Sequence, residues 1–181
     1  KNDLEIILSR YLISGHPDGL FVPEATVTRA KFATMLANTL DFAGIKPQEV
    51  MTAVPFSDVP PQARFATVID RLAASGLIYG YPDARFKPND YLTRAEGAVL
   101  ALRLLEYLGI DPPQTSPNTI TLAAYKDAPE ATDWSRQALE QAVLMGLLHG
   151  TGADELQPGA KLTRAQAAVI IKRVLEKAEL I

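Results

Sequence analysis

Leu92-Thr93-Arg94-Ala95-Glu96-Gly97-Ala98-Val99-Leu100-Ala101-Leu102 is the stretch that decides how this chain folds. Thr93 is a good helix cap, because its hydroxyl can accept from an orphan amide of the first turn. Glu96, three residues on, completes a capping box. The residues that follow are apolar nearly all round, so the helix they form belongs inside, packed by others. Thr-Arg-Ala recurs at Thr28-Arg29-Ala30 and Thr163-Arg164-Ala165. Arg94 follows Arg29 by 65 residues, and Arg164 follows Arg94 by 70.

The surroundings of the three tripeptides agree in register. A glycine (Gly15, Gly80, Gly150) stands fourteen residues before each arginine and a proline (Pro23, Pro88, Pro158) six before it. Phe21, Phe86 and Leu156 lie two residues before the prolines, and Val27, Leu92 and Leu162 directly before the threonines. Upstream, Phe56-Ser57-Asp58 matches Tyr125-Lys126-Asp127, and the run to Gly76-Leu77-Ile78 matches the run to Gly146-Leu147-Leu148. The chain is therefore an internal repeat. Copy one spans 1–48 and lacks the aromatic-x-Asp opening; copy two spans 53–113 and copy three 121–181. The joins are rich in proline and polar residues, as linkers are.

Each copy reads as helix, loop, helix. Thr163-x-x-Gln166 is a second capping box, whereas Thr28-x-x-Lys31 is not one. Gly76 and Gly146 are placed as helix C-caps. One repeat buries too little to stand alone, so three share one core through their second helices, with the first helices outside. The expectation is an all-α fold of three helix-loop-helix repeats with approximate three-fold symmetry.

The 181 residues carry a net charge of −3 and are 48% hydrophobic. That lacks the basic field nucleic-acid binding needs, so an acidic partner must be held by local cations. Without cysteine there is no thiol chemistry and no disulfide. No apolar run reaches the ~18 residues of a membrane span. Lys1-Asn2-Asp3-Leu4 does not read as a signal peptide, so the chain begins as a mature end or as a piece of a longer protein. His16 and His149 do not align, no cluster suggests a metal or other cofactor, and paired acids for catalysis are not in register.

Arg29, Arg94 and Arg164 each sit at the first position of a helix. Free amides and the helix dipole there favour an anion, and a guanidinium grips a carboxylate through two hydrogen bonds. The glycines Gly15, Gly80 and Gly150 let backbone approach a ligand. The residues alone leave a second reading open, in which the arginines fasten one repeat to the next. Asp58 and Asp127 read first as caps or turn formers. Trp134, the single tryptophan, is a packing residue or a platform for a sugar ring.

Phe56-Ser57-Asp58-Val59-Pro60, Gly76-Leu77-Ile78-Tyr79-Gly80-Tyr81-Pro82-Asp83, Phe86-Lys87-Pro88 and Leu92-Thr93-Arg94-Ala95-Glu96 together resemble a surface-layer homology repeat. Copy three resembles it through Trp134-Ser135, Gly146, Gly150, Pro158 and Leu162 to Gln166, and copy one through Gly15 to Gly19, Phe21, Pro23 and Val27 to Ala30. The resemblance implies a pseudo-three-fold bundle with grooves between repeats. It also implies an exported bacterial protein, cell-wall location and fusion to further domains. The ligand so implied is a secondary cell-wall polysaccharide carrying pyruvyl ketals on an amino sugar, whose carboxylate suits the repeated arginines.

On the same resemblance Arg29, Arg94 and Arg164 match the motif arginine. Gly15, Gly80 and Gly150 match the groove glycine, and Asp58, Asp127 and Trp134 the opening segment. Lys31 replaces an acidic residue, Arg64 stands at the tryptophan position of copy two, and Gly152-Ala153-Asp154 replaces an aspartate-glycine turn. The grooves are therefore expected to differ.

Overall fold

The computed structural model describes residues 12–13, 20–46, 56–115, 122–152 and 154–181. Five α-helices occur among them: α1 (Arg29–Phe42), α2 (Ala66–Ala74), α3 (Arg94–Tyr107), α4 (Asp133–Leu144) and α5 (Arg164–Lys177). Two 3-10 turns, Leu122–Ala124 and Ala128–Glu130, precede α4. No strand occurs among the described residues; the fold is all-α.

The helices Arg29–Phe42, Arg94–Tyr107 and Arg164–Lys177 are the second helices of the three copies. Each is capped by its threonine, whose hydroxyl accepts from the amide of Lys31, Glu96 or Gln166. Full capping boxes form at Thr93 and Thr163 and not at Thr28, because a lysine has no acceptor to return to the cap amide. The shorter α2 closes on Gly76 at φ 73° and α4 on Gly146 at φ 69°, in the left-handed conformation that glycine adopts without penalty.

α5 packs against both α1 and α3, while α2 packs on α1 and α4 on α3. The two described outer helices thus lie against the inner helix of the preceding copy. The core is shared: Phe32, Leu36, Leu40, Leu104, Leu105, Ile171 and Leu175 are all buried in it. Leu12 and Ile13, the described end of copy one's opening segment, are buried there too.

The segments leading into the inner helices meet each other. The Val27 N–H donates to the Leu162 carbonyl (2.9 Å), Leu162 to Leu92 (2.8 Å) and Leu92 to Val27 (2.9 Å). All three residues are fully buried, and the closed cycle satisfies backbone groups that water cannot reach. Flanking bridges join Thr26 to Thr163, Thr28 to Tyr91 and Thr93 to Lys161.

Candidate functional site

The helix starts differ from the sequence expectation in one respect. Their first amides are not free for an anion. Arg29 and Ala30 donate to the carbonyls of Asp90 and Pro88, Arg94 and Ala95 to Ala160 and Pro158, and Arg164 and Ala165 to Ala25 and Pro23. With the third amide given to the threonine cap, the orphan donors of each first turn are consumed by a neighbouring repeat. The sequence hid this because the accepting carbonyls lie far along the chain.

The arginine side chains follow the same rule. Nε of Arg29 donates to the Phe86 carbonyl, Nε of Arg94 to Leu156 and Nε of Arg164 to Phe21, each at 2.8 Å. Those are the three equivalent apolar loop positions. A further Arg29 nitrogen reaches the Tyr79 carbonyl at 3.2 Å, and its counterpart on Arg94 reaches His149 at 2.7 Å. Arg29 also lies 4.8 Å from the ring centres of both Tyr81 and Phe86. Arg94 is 3% exposed and Arg164 8%. Burial pulls the Arg94 guanidinium below the usual arginine range, and the charge of Asp127 partly restores it.

Asp58 and Asp127 serve the loops. Asp58 accepts from the amides of Phe86 and Lys87, both at 2.8 Å. Asp127 accepts from Leu156 (2.8 Å) and Gln157 (2.6 Å). Lys87 and Gln157 hold φ of 57° and 53°, which is costly for residues with a Cβ. The carboxylates form turns, as one of the two readings from sequence has it, and they cap no helix.

Gly80 and Gly150 are required by packing. A Cβ on Gly80 would stand 2.4 Å from a ring carbon of Phe56 and 2.8 Å from the Arg85 carbonyl. On Gly150 it would stand 2.8 Å from the Tyr125 ring and 2.9 Å from the Glu155 carbonyl. In copies two and three the aromatic residue that opens the repeat seats on that repeat's own glycine. Gly80→Ala should cost about 1–3 kcal/mol, as overpacking does, read as a lowered urea midpoint. Gly159→Ala is the control, since nothing lies within 4 Å of a Cβ there, and its midpoint should barely move. Gly15 lies outside the described residues.

Among the described residues, grooves in corresponding register run beside Arg29 with Gly80 and beside Arg94 with Gly150. The first, of about 570 Å³, is lined by Arg29, Tyr79, Gly80, Glu96, Arg103 and Trp134 among others. The second, of about 350 Å³, is lined by Arg94, His149, Gly150, Gln166 and Arg173. Trp134 is 61% exposed and Tyr79 58%, so the tryptophan is not a packing residue. In the first groove Glu96 accepts from Arg29 (3.4 Å) and from the Tyr81 hydroxyl (3.2 Å). Burial keeps that hydroxyl protonated to a higher pH than usual, against the pull of Arg29.

Arg103 is the residue that reading the sequence missed. Its guanidinium lies 4.6 Å from the Tyr79 ring centre, the residue is half-buried, and it makes no hydrogen bond or ion pair among the described residues. Burial lowers its pKa while Tyr79 and Glu106 hold it up; an arginine stays charged regardless. A signal was available: Arg103 and Arg173 each follow the repeat arginine by nine residues, where copy one has Asn38. Arg173 differs in being occupied. It donates to the Leu147 carbonyl (3.1 Å) and contacts Nδ1 of His149 (3.1 Å). Burial and the Arg173 charge lower the His149 pKa, which keeps that ring neutral and able to accept.

The S-layer homology domain, as a family pattern, matches residues 2–33, 55–98 and 124–168. An amylopullulanase of Thermoanaerobacterium thermosulfurigenes is 30% identical over 177 residues, 98% of this chain and 9% of that protein. A cellulosome-anchoring protein of Acetivibrio thermocellus is 30% identical over 168 residues, 93% of this chain and 36% of that protein. A surface-layer 125 kDa protein of Lysinibacillus sphaericus is 29% identical over 182 residues, 99% of this chain and 14% of that protein. The chain corresponds to a minor part of the length of each relative.

Proposed function

This chain belongs to the S-layer homology domain family, and on that footing we propose that it is a non-catalytic anchor. It holds a bacterial surface protein to the cell wall by binding an acidic, pyruvylated wall polysaccharide in grooves between its repeats. Relatives named as surface-layer and cellulosome-anchoring proteins support the anchoring role. The enzyme relative is matched over only 9% of its length, so its activity does not transfer.

The observation that carries the ligand reading is Arg103. The repeated arginines spend their Nε donors on loop carbonyls, whereas Arg103 faces the same groove with its donors unspent. A carboxylate can take two of them in parallel, and the exposed Trp134 ring offers an apolar face to a pyranose. Arg29 and Arg103 against Glu96 leave a single positive charge there, which matches one pyruvyl carboxylate. Arg94 and Arg164 act as fasteners and lend positive potential; Arg29 does both. Asp58, Asp127, Gly80 and Gly150 shape the loops that border the grooves.

The reading takes three repeats, 1–48, 53–113 and 121–181, around an approximate three-fold axis. The cyclic hydrogen bonds of Val27, Leu92 and Leu162 support that arrangement. Several weak grooves facing one repetitive polymer would bind it by avidity.

The test is co-sedimentation with wall sacculi that are intact, stripped of the secondary polymer, or made without pyruvate transfer. Binding to the intact wall alone is expected; equal binding to all three removes pyruvate from the mechanism. Arg103→Ala should weaken binding of a short pyruvylated saccharide by about tenfold or more, the scale of losing one charge-assisted contact. Its melting temperature should hold, since among the described residues the side chain makes no hydrogen bond or ion pair and lies over the Tyr79 ring. Arg173→Ala should have the smaller effect on affinity.

A further inference from the structure

His149 and Arg173 hold each other across the second groove. Nη2 of Arg173 lies 3.1 Å from Nδ1 of His149, while its Nη1 donates to the Leu147 carbonyl at 3.1 Å. A guanidinium has only N–H donors and accepts nothing. Nδ1 therefore carries no proton, and the ring is neutral with its proton on Nε2. The contact exists in one charge state of the ring alone. A second proton sets N–H against N–H and charge against charge, and Arg173 has to let go.

Both groups line the groove of about 350 Å³, together with Arg94, Thr151 and Gln166. Among the described residues, the charges that face the ring are both cations. Arg173 comes from α5, and Arg94 comes from α3 with its guanidinium on the His149 carbonyl at 2.7 Å. α4 reaches the ring through Gly146, just past its C-terminal end, where a Cβ would stand 3.8 Å from Nε2. That end of a helix favours a cation, so the charged ring has one stabilising neighbour. The first groove is built differently in the same register. Tyr79 and Arg103 stand where the second has His149 and Arg173, and the Tyr79 ring meets Arg103 with its face. A ring face takes no proton.

We propose that His149 is a proton-operated lock on the second groove: neutral, it ties up Arg173; protonated, it frees that guanidinium and joins it in holding an anion. That the freed donors take a pyruvyl carboxylate rests on the reading of the grooves given above; the lock itself does not. Burial and the Arg173 charge place the free ring's pKa below the ordinary histidine value, so the lock is closed at neutral pH and opens on acidification. The carboxylate stays ionised wherever histidine titrates. A bound anion favours the charged ring and raises its pKa above that of the free ring. Affinity then grows as pH falls through the bound-state pKa and levels off below the free-state one. At neutral pH the first groove binds alone; in acid the second joins it on the same polymer, and avidity tightens the grip.

The experiment follows the ring nitrogens and the amides of the full chain by heteronuclear NMR from about pH 7.5 to 4.5, free and with a short pyruvylated saccharide. In the free chain at the upper end, Nδ1 should show the shift of an unprotonated nitrogen; a proton there overturns the lock. The saccharide should raise the midpoint of the ring by about one unit, and the affinity read at residues 147–151 should rise about tenfold on acidification. His149→Gln leaves a side-chain carbonyl for Arg173 at every pH, so its melting temperature near neutral pH should hold while the acid gain disappears. A midpoint that the saccharide does not move overturns the proposal, and so does an acid gain that persists in His149→Gln. Failure of the groove reading looks different: the saccharide would then shift neither residues 147–151 nor residues 79–81 at any pH, and the proposal would fall with it.

Discussion

Arg94→Ala should destabilise the chain by about 3 kcal/mol, lowering the melting temperature by roughly 6–12 °C for a domain of this size. Arg94 is 3% exposed, and its guanidinium holds the Leu156 and His149 carbonyls of the next copy at 2.8 and 2.7 Å. Truncation leaves the buried Leu156 carbonyl without its donor, releases the His149 carbonyl, and opens a void between copies two and three. Arg94→Lys keeps the charge but loses the fork that spans two carbonyls, so it should recover only part of the loss. Arg94→Met separates packing from hydrogen bonding, since an apolar side chain of similar length can replace a buried ion at little cost where shape is what matters. A melting temperature in Arg94→Met equal to the parent would show that the carbonyls do not need this donor. The matching measurement is affinity for the pyruvylated saccharide in whichever variant stays folded. It should fall far less than in Arg103→Ala.

Asp127→Ala is the second large effect, expected at about 2–4 kcal/mol by chemical denaturation. Two amides lose a charged acceptor at 2.8 and 2.6 Å, and hydrogen bonds to charged groups are the stronger class. Gln157 is then left at φ 53° with nothing to hold it there. Adding Gln157→Gly should return about 1 kcal/mol, because glycine takes positive φ without penalty. If the double variant is no more stable than Asp127→Ala alone, the carboxylate does not serve to hold that backbone.

What the sequence made legible was whatever repeats in register. The threonine caps, the glycine C-caps and the inner helices follow from residues within one copy, and they form as those residues imply. What it did not make legible were the partners that cross copies. The amide of Arg29 looks free in the sequence because its acceptor, Asp90, is 61 residues away. The glycine of each repeat looks like room for a ligand until the Phe56 or Tyr125 ring is placed on it. Arg103 was hidden in an apolar helix, where one cation reads as a solvated edge rather than as the unspent donor of a groove. Trp134 was ambiguous because tryptophan suits both a core and a sugar face; its exposure excludes the core.

The cycle of Val27, Leu92 and Leu162 has a consequence for the order of events during synthesis. Val27 leaves the ribosome before the third copy, and its amide must wait for the Leu162 carbonyl, 135 residues later. The amides that start α5 then return to Pro23 and Ala25. No prefix of the chain that lacks the third copy can complete the first. Closing so long a loop delays the reward for ordering it. The module should therefore remain unfolded until nearly all of it has been translated, and then form in one step.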